Sequence, residues 1–215
     1  TLSSSSAASD VYKRQALGNS IKIGLLATIF STILGTMIAF AIGRYAFKGR
    51  SSSNLLIFLP MATPEIVLGA SLLSLFLVFQ INPGFWPTVI AHVMFCISFV
   101  VVTVKARIAS LDPRLEQAAM DLYANELETF RKVTLPLVAP GIAGAALLAF
   151  SLSFDDFIIT NFNSGTLKTF PEFVYTSAAR GIPAQANVIG SAMFFLALAI
   201  VIAGQFVGKK SKVSK

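Results

Sequence analysis

A series of long apolar runs limits what this chain can fold into, because each run is long enough to cross a lipid bilayer. Ile21 to Ile42 is the first run. As a helix with a rise of about 1.5 Å per residue it extends about 33 Å, against a hydrocarbon core of about 30 Å. Further runs cover Leu55 to Phe79, Thr88 to Val104, Leu137 to Ile159, and Ala186 to Val207. We therefore predict an all-α polytopic membrane protein in which five spans are present.

The composition agrees with one membrane domain. Of the 215 residues, 55% are hydrophobic and 13% are charged, whereas a soluble domain has roughly 25% charged residues. We assign residues 19–207 to the membrane domain and residues 208–215 to a basic tail. Residues 1–15 are rich in serine and lack periodicity, which predicts a non-native or disordered segment, with a flexible native tail as the alternative.

Basic residues fall mainly on one side of the predicted spans. The other side has Lys168 and Arg180 within its loop. Because cytoplasmic loops carry the excess of lysine and arginine, we expect a multi-pass protein of the bacterial inner membrane with a cytoplasmic C-terminus. The net charge of +7 is then a topology signal, and we discard nucleic-acid binding. The basic residues of the predicted cytoplasmic side are Arg44, Lys48, Arg50, Lys105, Arg107, Arg114, Arg131, Lys132, Lys209, Lys210, Lys212 and Lys215.

The longest polar stretch, residues 105–136, has the signals of two short helices. Asp112 is placed to cap the first helix, whereas Asn125 and Glu128 form the capping-box pattern of the second. Pro136 predicts the end of that second helix. One face of the first helix is apolar and small, and it carries Leu115, Ala118, Ala119 and Leu122. We expect this face to need a partner.

The same stretch resembles the EAA loop of ABC-importer permeases. Gln117-Ala118-Ala119, position 123, Val133 and Leu135-Pro136 have the spacing of that loop. The resemblance implies that the loop docks on a cytoplasmic ATPase subunit, which binds ATP and magnesium. It assigns ATPase coupling to Glu116, Gln117, Ala118, Ala119, Asp121, Tyr123, Leu135 and Pro136. A generic amphipathic cytosolic loop is the alternative.

Two positions of the loop depart from the family pattern. Gln117 stands where the glutamate is usual, with Glu116 beside it, and Tyr123 stands where the glycine is usual. If that turn requires a positive φ, tyrosine is strained there.

The sequence has no pattern of a catalytic or metal site. Gly208-Lys209 is not a phosphate loop, because Gly204 is one residue too close and Lys210 replaces the hydroxyl residue. The single cysteine, Cys96, lies in an apolar run, where we expect a packed thiol. We therefore expect no enzyme, cofactor or metal in this chain.

Four ionisable residues within the apolar runs are candidates for a substrate pathway: Glu65, His92, Asp155 and Asp156. A charge in hydrocarbon costs about 2.5–3.5 kcal/mol even on the lenient scale, so such residues usually face a cavity or a partner. A cationic substrate could be that partner. Alternatively, the aspartates are interfacial, Glu65 caps a helix that restarts after Pro64, and His92 is a packing residue. Adjacent residues on a helix point about 100° apart, so we expect only one aspartate to line the pathway.

Several segments resemble the second permease of spermidine/putrescine importers. They are Pro64-Glu65-Ile66-Val67, Phe85-Trp86, His92 to Cys96, Phe99 to Val104, and Ser151 to Phe157. The resemblance implies a type I ABC importer transmembrane domain that lacks the first of six spans. It also implies a second homologous permease, ATPase subunits and a periplasmic binding protein as partners. Another cargo, such as iron or thiamine, is an alternative, and a secondary cation transporter is a weaker one, since we detect no inverted repeat.

Overall fold

The protein is described here by a computed structural model, in which residues 2–45, 47–179, 188 and 191–195 are described. Every regular element in these ranges is helical, which confirms the predicted fold class. The elements are α1 (Leu2–Arg44), α2 (Arg50–Ala62), α3 (Glu65–Val78), α4 (Phe85–Ala109), α5 (Arg114–Asp121), α6 (Glu126–Thr129), a π-helical turn (Phe130–Thr134), α7 (Leu135–Asp155), α8 (Ile158–Asn163) and α9 (Phe170–Ala179). Most of the predicted span at 186–207, and all of the tail at 208–215, lie outside the described residues.

The chain divides into two compact units, Thr1–Pro171 and Glu172–Lys215. The first unit contains every candidate site residue named above. In the described part of the second unit, the hydroxyl of Thr176 donates to the carbonyl of Glu172 at 2.7 Å, which is a local bond within one helical turn.

Three long helices, α1, α4 and α7, contact one another and form the centre of the first unit. Ser31, Gly35, Ala39 and Gly43 repeat every four residues in the sequence, a spacing that predicts close helix contact. Small residues do bring α1 close to its neighbours. Ser31 and Ala39 are buried. A Cβ atom on Gly35 would lie 2.7 Å from Cγ1 of Val100 in α4, so that only glycine permits this approach. In the part of the chain that the structure describes, three helical stretches are long and apolar enough to cross a membrane, namely Val11–Arg44, Phe85–Ala109 and Glu126–Asp155.

The first helix is longer than the sequence predicts. We predicted a tail up to residue 15 and a span from Ile21, but α1 begins at Leu2. The segment has no proline, and its alanine and serine residues are tolerated in a helix. Ala16 and Ser20 are buried, so packing against the rest of the unit begins before the predicted span.

The predicted second span is two helices, not one. α2 and α3 are bent by 107° at the break between Ala62 and Glu65. Thr63 has an extended backbone, with φ −81° and ψ 131°. The ring of Pro64 disfavours the helical region for the residue before it, which explains where the helix stops. Pro60 and Pro64 predict an interruption of this span; the break lies at Pro64, whereas Pro60 stays within α2.

Polar contacts tie the first unit together at its two ends. At one end, the side chain of Asn19 donates to the carbonyl of Lys168 at 2.9 Å, and the N–H of Phe170 donates to Ser20 at 2.8 Å. At the other end, the guanidinium of Arg107 donates to the carbonyl of Leu137 at 2.9 and 3.0 Å. The loop between α4 and α7 is at this second end, which we call the loop end.

Candidate coupling loop and intramembrane acidic site

The local helix signals of the loop are confirmed. Oδ1 of Asp112 accepts the N–H of Arg114 at 2.9 Å. Oδ1 of Asn125 accepts the N–H of Glu128 at 2.9 Å, and the Glu128 carboxylate accepts the N–H of Asn125 at 3.3 Å. This backbone hydrogen bond, together with Lys132, holds the pKa of Glu128 below its ordinary value. The start of each loop helix is thus fixed by its own side chains.

Tyr123 adopts the strained backbone that its position predicts. Its φ is 61°, in the left-handed region that favours glycine. Its side chain is 98% exposed, so packing within the described residues does not offset the strain. The turn between α5 and α6 therefore displays an aromatic ring on a strained backbone.

The apolar face of α5 is largely uncovered within the first unit. Leu122 is 81% exposed, and Leu115 and Leu127 are also exposed. Ala118 is exposed and Ala119 is half-buried. A loop that leaves these side chains open has the surface expected of a docking site.

We predicted that the second loop helix ends at Pro136, but the helix continues past this residue. α6 continues through the π-helical turn Phe130–Thr134 directly into α7. Pro136 lies in the first turn of α7, where a helix tolerates the missing N–H. Leu135 and Pro136 are exposed at this junction. The loop is therefore joined to the long helix α7 without an irregular linker.

Glu116 points back toward the helices, while its neighbours in α5 face outward. Its carboxylate accepts hydrogen bonds from the guanidinium of Arg44 and from the hydroxyl of Thr134. Gln117 and Asp121 are exposed. A cavity of about 620 Å³ adjoins this contact, and its lining residues are Phe40, Arg44, Tyr45, Glu116, Met120, Glu126, Leu127, Thr129 and Phe130. The predicted coupling residues thus divide into an inward-facing carboxylate and an outward-facing set.

Asp156 and His92 belong to one buried hydrogen-bond network. The Asp156 carboxylate accepts the N–H of Thr160 at 2.9 Å and is 8% exposed as a residue. His92 is 1% exposed, with Nδ1 2.7 Å from the Ser153 hydroxyl and Nε2 2.9 Å from the Thr160 hydroxyl. Because the Thr160 hydroxyl has one proton, which is directed at Asp156, we assign Nε2 as the donor and Nδ1 as the acceptor.

This network explains why α7 ends where it does. We predicted a fourth span to Ile159, but the helix stops at Asp155 and Asp156 has an extended backbone. The Asp156 side chain then caps α8 through Thr160 and, at 3.4 Å, Ile159. Both ring nitrogens of His92 are occupied by protein groups, which is the geometry expected of the packing alternative.

Of the three acids predicted to line the pathway, Asp155 and Glu65 are accessible to a ligand. Both are exposed within the first unit. Glu65 is the first residue of α3, and it lies within range of charge repulsion from Asp155 and Asp156. The tight packing of α3 on α8 brings the acids together, because a Cβ on Gly69 would lie 3.3 Å from Cα of Ile159. The structure thus brings the three acidic pathway residues to the helix breaks at 63–64 and 156–157, and His92 lies beside Asp156 at 3.5 Å.

The comparison with known families decides the class of the chain. Residues 31–208 match the family described as the binding-protein-dependent transport system inner membrane component. The chain belongs to this family. It is therefore a membrane permease component of an ABC transporter, as the loop and the apolar helices predict.

Curated relatives match most of the chain. The spermidine/putrescine transport system permease protein PotC of Haemophilus influenzae is 36% identical over 198 residues, which cover 92% of this chain and 77% of the relative. The putrescine transport system permease protein PotI of Escherichia coli is 37% identical over 185 residues, which cover 82% of this chain and 66% of the relative. Both relatives are permeases named for polyamine cargo.

The fold is also that of solved transporters. A structure of the MetNI methionine ABC transporter in an inward-facing conformation superimposes with a TM-score of 0.68 and 17% identity. The match covers 89% of this chain and 94% of the transporter chain. At this identity the likeness establishes the fold of a type I ABC importer transmembrane domain.

Sequence reasoning missed the residues that hold the predicted site residues in place. Arg44 was counted only as a topology signal, and Thr134, Ser153 and Thr160 were not predicted as site residues. A hydroxyl residue next to a helix break was the available signal for Thr160. Among the described residues, no group of histidine, cysteine and acidic side chains could hold a metal ion.

Proposed function

We propose that this chain is the transmembrane permease subunit of a bacterial ABC importer for spermidine and putrescine. Its 36% identity to a spermidine/putrescine permease over 92% of the chain is the observation that carries the proposal. The open carboxylates fit this cargo, because polyamines are flexible polycations that a carboxylate can bind through charge-assisted hydrogen bonds.

Asp155 is the carboxylate that we assign to the cation pathway. It is exposed, whereas the Asp156 carboxylate is occupied by the N–H of Thr160. Glu65 is exposed near Asp155 on a different helix. Two negative charges on separate helices can bind successive amines of one polycation and can separate when the helices move.

The outward-facing part of the loop is the proposed contact with a separate ATPase subunit. Ala118, Leu122 and Tyr123 are exposed side by side on α5 and the turn after it. ATP, with magnesium, would be hydrolysed on that subunit, and its closure would displace the loop. Because the loop is continuous with α7 through the π-helical turn, the displacement would reach the helix that carries Asp155.

The remaining partners follow from the same assembly. A second, homologous permease would complete the pathway, and a periplasmic binding protein would deliver the cargo. The lysine and arginine asymmetry supports a cytoplasmic position for the loop end and the C-terminus. Exposed apolar residues on the long helices would face the lipid.

Uptake into membrane vesicles tests the function. The chain is co-expressed with a second permease, an ATPase subunit and a binding protein, and labelled spermidine and putrescine are added with or without ATP. We expect ATP-dependent uptake that unlabelled polyamine suppresses and that ferric iron or thiamine does not. Uptake that survives without ATP and stops with a proton uncoupler would support a secondary transporter, and competition only by another solute would reassign the cargo.

A further inference from the structure

Arg44, Glu116 and Thr134 form a three-way contact between separate helices. Arg44 is the last residue of α1, Glu116 lies in α5, and Thr134 ends the π-helical turn before α7. The Arg44 guanidinium donates to the Glu116 carboxylate and, at 3.2 Å, to the Thr134 hydroxyl. The Thr134 hydroxyl in turn donates to the same carboxylate at 2.6 Å. One carboxylate is therefore bonded both to the end of α1 and to the turn that leads into α7.

The surroundings strengthen this contact. Thr134 is fully buried, and the Glu116 and Arg44 side chains are about one-quarter and one-third exposed, at 25% and 31%. The Arg44 guanidinium lies 5.8 Å from the centre of the Phe40 ring, and Phe40 packs edge-to-face on Phe130 at 5.2 Å. The ion pair thus lies on an aromatic pair that joins α1 to the π-helical turn, where it is less screened than a surface pair.

α1 does not need this contact in order to pack. It already contacts α4 and α7 along much of its length, through buried residues such as Ser31 and Ala39. By contrast, α5 buries none of its residues, so the Glu116 contacts are its polar connection to the long helices. The contact adds little to the packing of α1, but it holds α5, which is otherwise loosely attached. Such a contact is suited to transmit a displacement of α5.

We propose that Arg44 is a positioning residue that carries the displacement of α5 to the loop ends of α1 and α7. This inference rests on the proposed function, in which an ATPase subunit moves the loop. Nη2 of Arg44 donates to both Glu116 and Thr134, and the guanidinium is held over the Phe40 ring, whereas a lysine ammonium is a point charge on a flexible stem. Without Arg44, α5 can still dock, but its movement reaches α7 only through the backbone of the π-helical turn.

The first test compares uptake with ATP hydrolysis in the complete importer reconstituted in liposomes. The variants are Arg44→Ala, Arg44→Lys, Thr134→Val, and the charge-swapped pair Arg44→Glu with Glu116→Arg. Lys48→Ala is the matched control, since Lys48 is an exposed basic residue on the same end. Subunit assembly is measured for each variant by co-purification of the ATPase.

We expect Arg44→Ala to assemble normally and to import roughly tenfold less cargo per ATP, as for the loss of a partly screened charge-assisted hydrogen bond. Thr134→Val and Arg44→Lys should lose less of the import per ATP hydrolysed, and the charge-swapped pair should recover most of it. Lys48→Ala should equal the wild type. The inference is overturned if Arg44→Ala imports as much cargo per ATP as the wild type. It is also overturned if all variants lose assembly and the charge-swapped pair does not recover it.

The second test does not depend on the cargo. A nitroxide is attached at position 45 through Tyr45→Cys, because Tyr45 is exposed directly after α1 and Cys96 is buried. ATP with vanadate should change the mobility of the label in the full complex, and Arg44→Ala should abolish the change. A change that persists in Arg44→Ala, or none in the parent, overturns the inference even where ATP-dependent uptake is normal. If the label responds to ATP with vanadate in an Arg44-dependent way but no polyamine is taken up, only the proposed cargo is overturned.

Discussion

The backbone N–H of Thr160 donates to the carboxylate of Asp156 at 2.9 Å, so this acid is committed to the start of α8. Asp155, the residue before it, ends α7 and is exposed. The chain changes from helical to extended backbone between the two. Two adjacent acids of identical chemistry therefore have different environments and, we predict, different roles.

Asp155→Asn should reduce polyamine uptake without destabilising the subunit. The amide keeps the shape of the side chain but loses the charge that attracts an ammonium group. We expect uptake at least roughly tenfold below that of the wild type, since a charged hydrogen bond is worth about 1.5–3 kcal/mol. The melting temperature in detergent and the yield of assembled importer should be unchanged. Wild-type uptake by this variant would contradict the cation pathway.

Asp156→Ala should act on stability. The substitution leaves the N–H of Thr160 without its acceptor and removes the acid beside His92. We expect a loss of about 1–3 kcal/mol in the free energy of unfolding, measured by thermal unfolding in detergent. Asp155→Ala is the control and should melt like the wild type.

Tyr123→Gly should stabilise the loop and weaken coupling. Glycine removes the strain of φ 61°, which is worth about 1 kcal/mol, and protection of the turn amides from hydrogen exchange should rise. Loss of the exposed ring should lower the affinity for the ATPase subunit. Tyr123→Asn separates the two effects, because asparagine tolerates the left-handed region but lacks the ring. Unaltered affinity in both variants would mean that the ring makes no contact.

Ala118→Trp should block docking while the fold is retained. Ala118 is exposed on α5, so the larger side chain meets no neighbour within the first unit, but it would hold the ATPase subunit away. Co-purification should show less bound ATPase, and uptake should fall in proportion. The half-buried neighbour Ala119 is predicted to tolerate tryptophan less well, so reduced folding should accompany the loss there.

The helix start at Glu128 should be sensitive to acid. Its pKa is lowered in the folded protein by the N–H of Asn125 and by Lys132. The stabilisation is complete above the ordinary glutamate pKa of about 4.3 and is lost as the pH falls through the lower folded pKa. Exchange of the amides in α6 should accelerate in that window, and Glu128→Gln should flatten the pH dependence. Identical pH profiles for the wild type and Glu128→Gln would show that the charge of Glu128 does not stabilise this capping box.

The sequence predicted those parts of the site that depend on neighbouring residues. The Asn125–Glu128 capping box and the strained turn at Tyr123 are set by residues a few positions apart, so local propensity is sufficient. The repeat of small residues every four positions in α1 predicted a close helix contact at Gly35, although it did not predict that Val100 of α4 is the partner. The long apolar runs predicted the membrane class for the same reason, because bilayer thickness fixes helix length.

Contacts distant in sequence were not predictable. Nothing local to Arg44 indicates that it meets Glu116, and the two are brought together only by the packing of α1 on α4 and α7. Pro64 was noticed, but a proline in a membrane helix produces either a mild kink or a sharp break, and neighbouring packing decides which. The end of α7 at Asp155 likewise depends on a capping contact made after the helix has stopped.

The bend of 107° between α2 and α3 has a consequence for the biogenesis of the subunit. At about 1.5 Å per residue, the 13 residues of α2 and the 14 residues of α3 extend only about 20 Å each, so neither crosses the hydrocarbon core of about 30 Å. Backbone groups freed at a break cannot be left facing lipid. We therefore expect a subunit made without its partner to be recognised as unassembled and degraded by membrane proteases. Co-translation of the partner would then set its abundance in the cell.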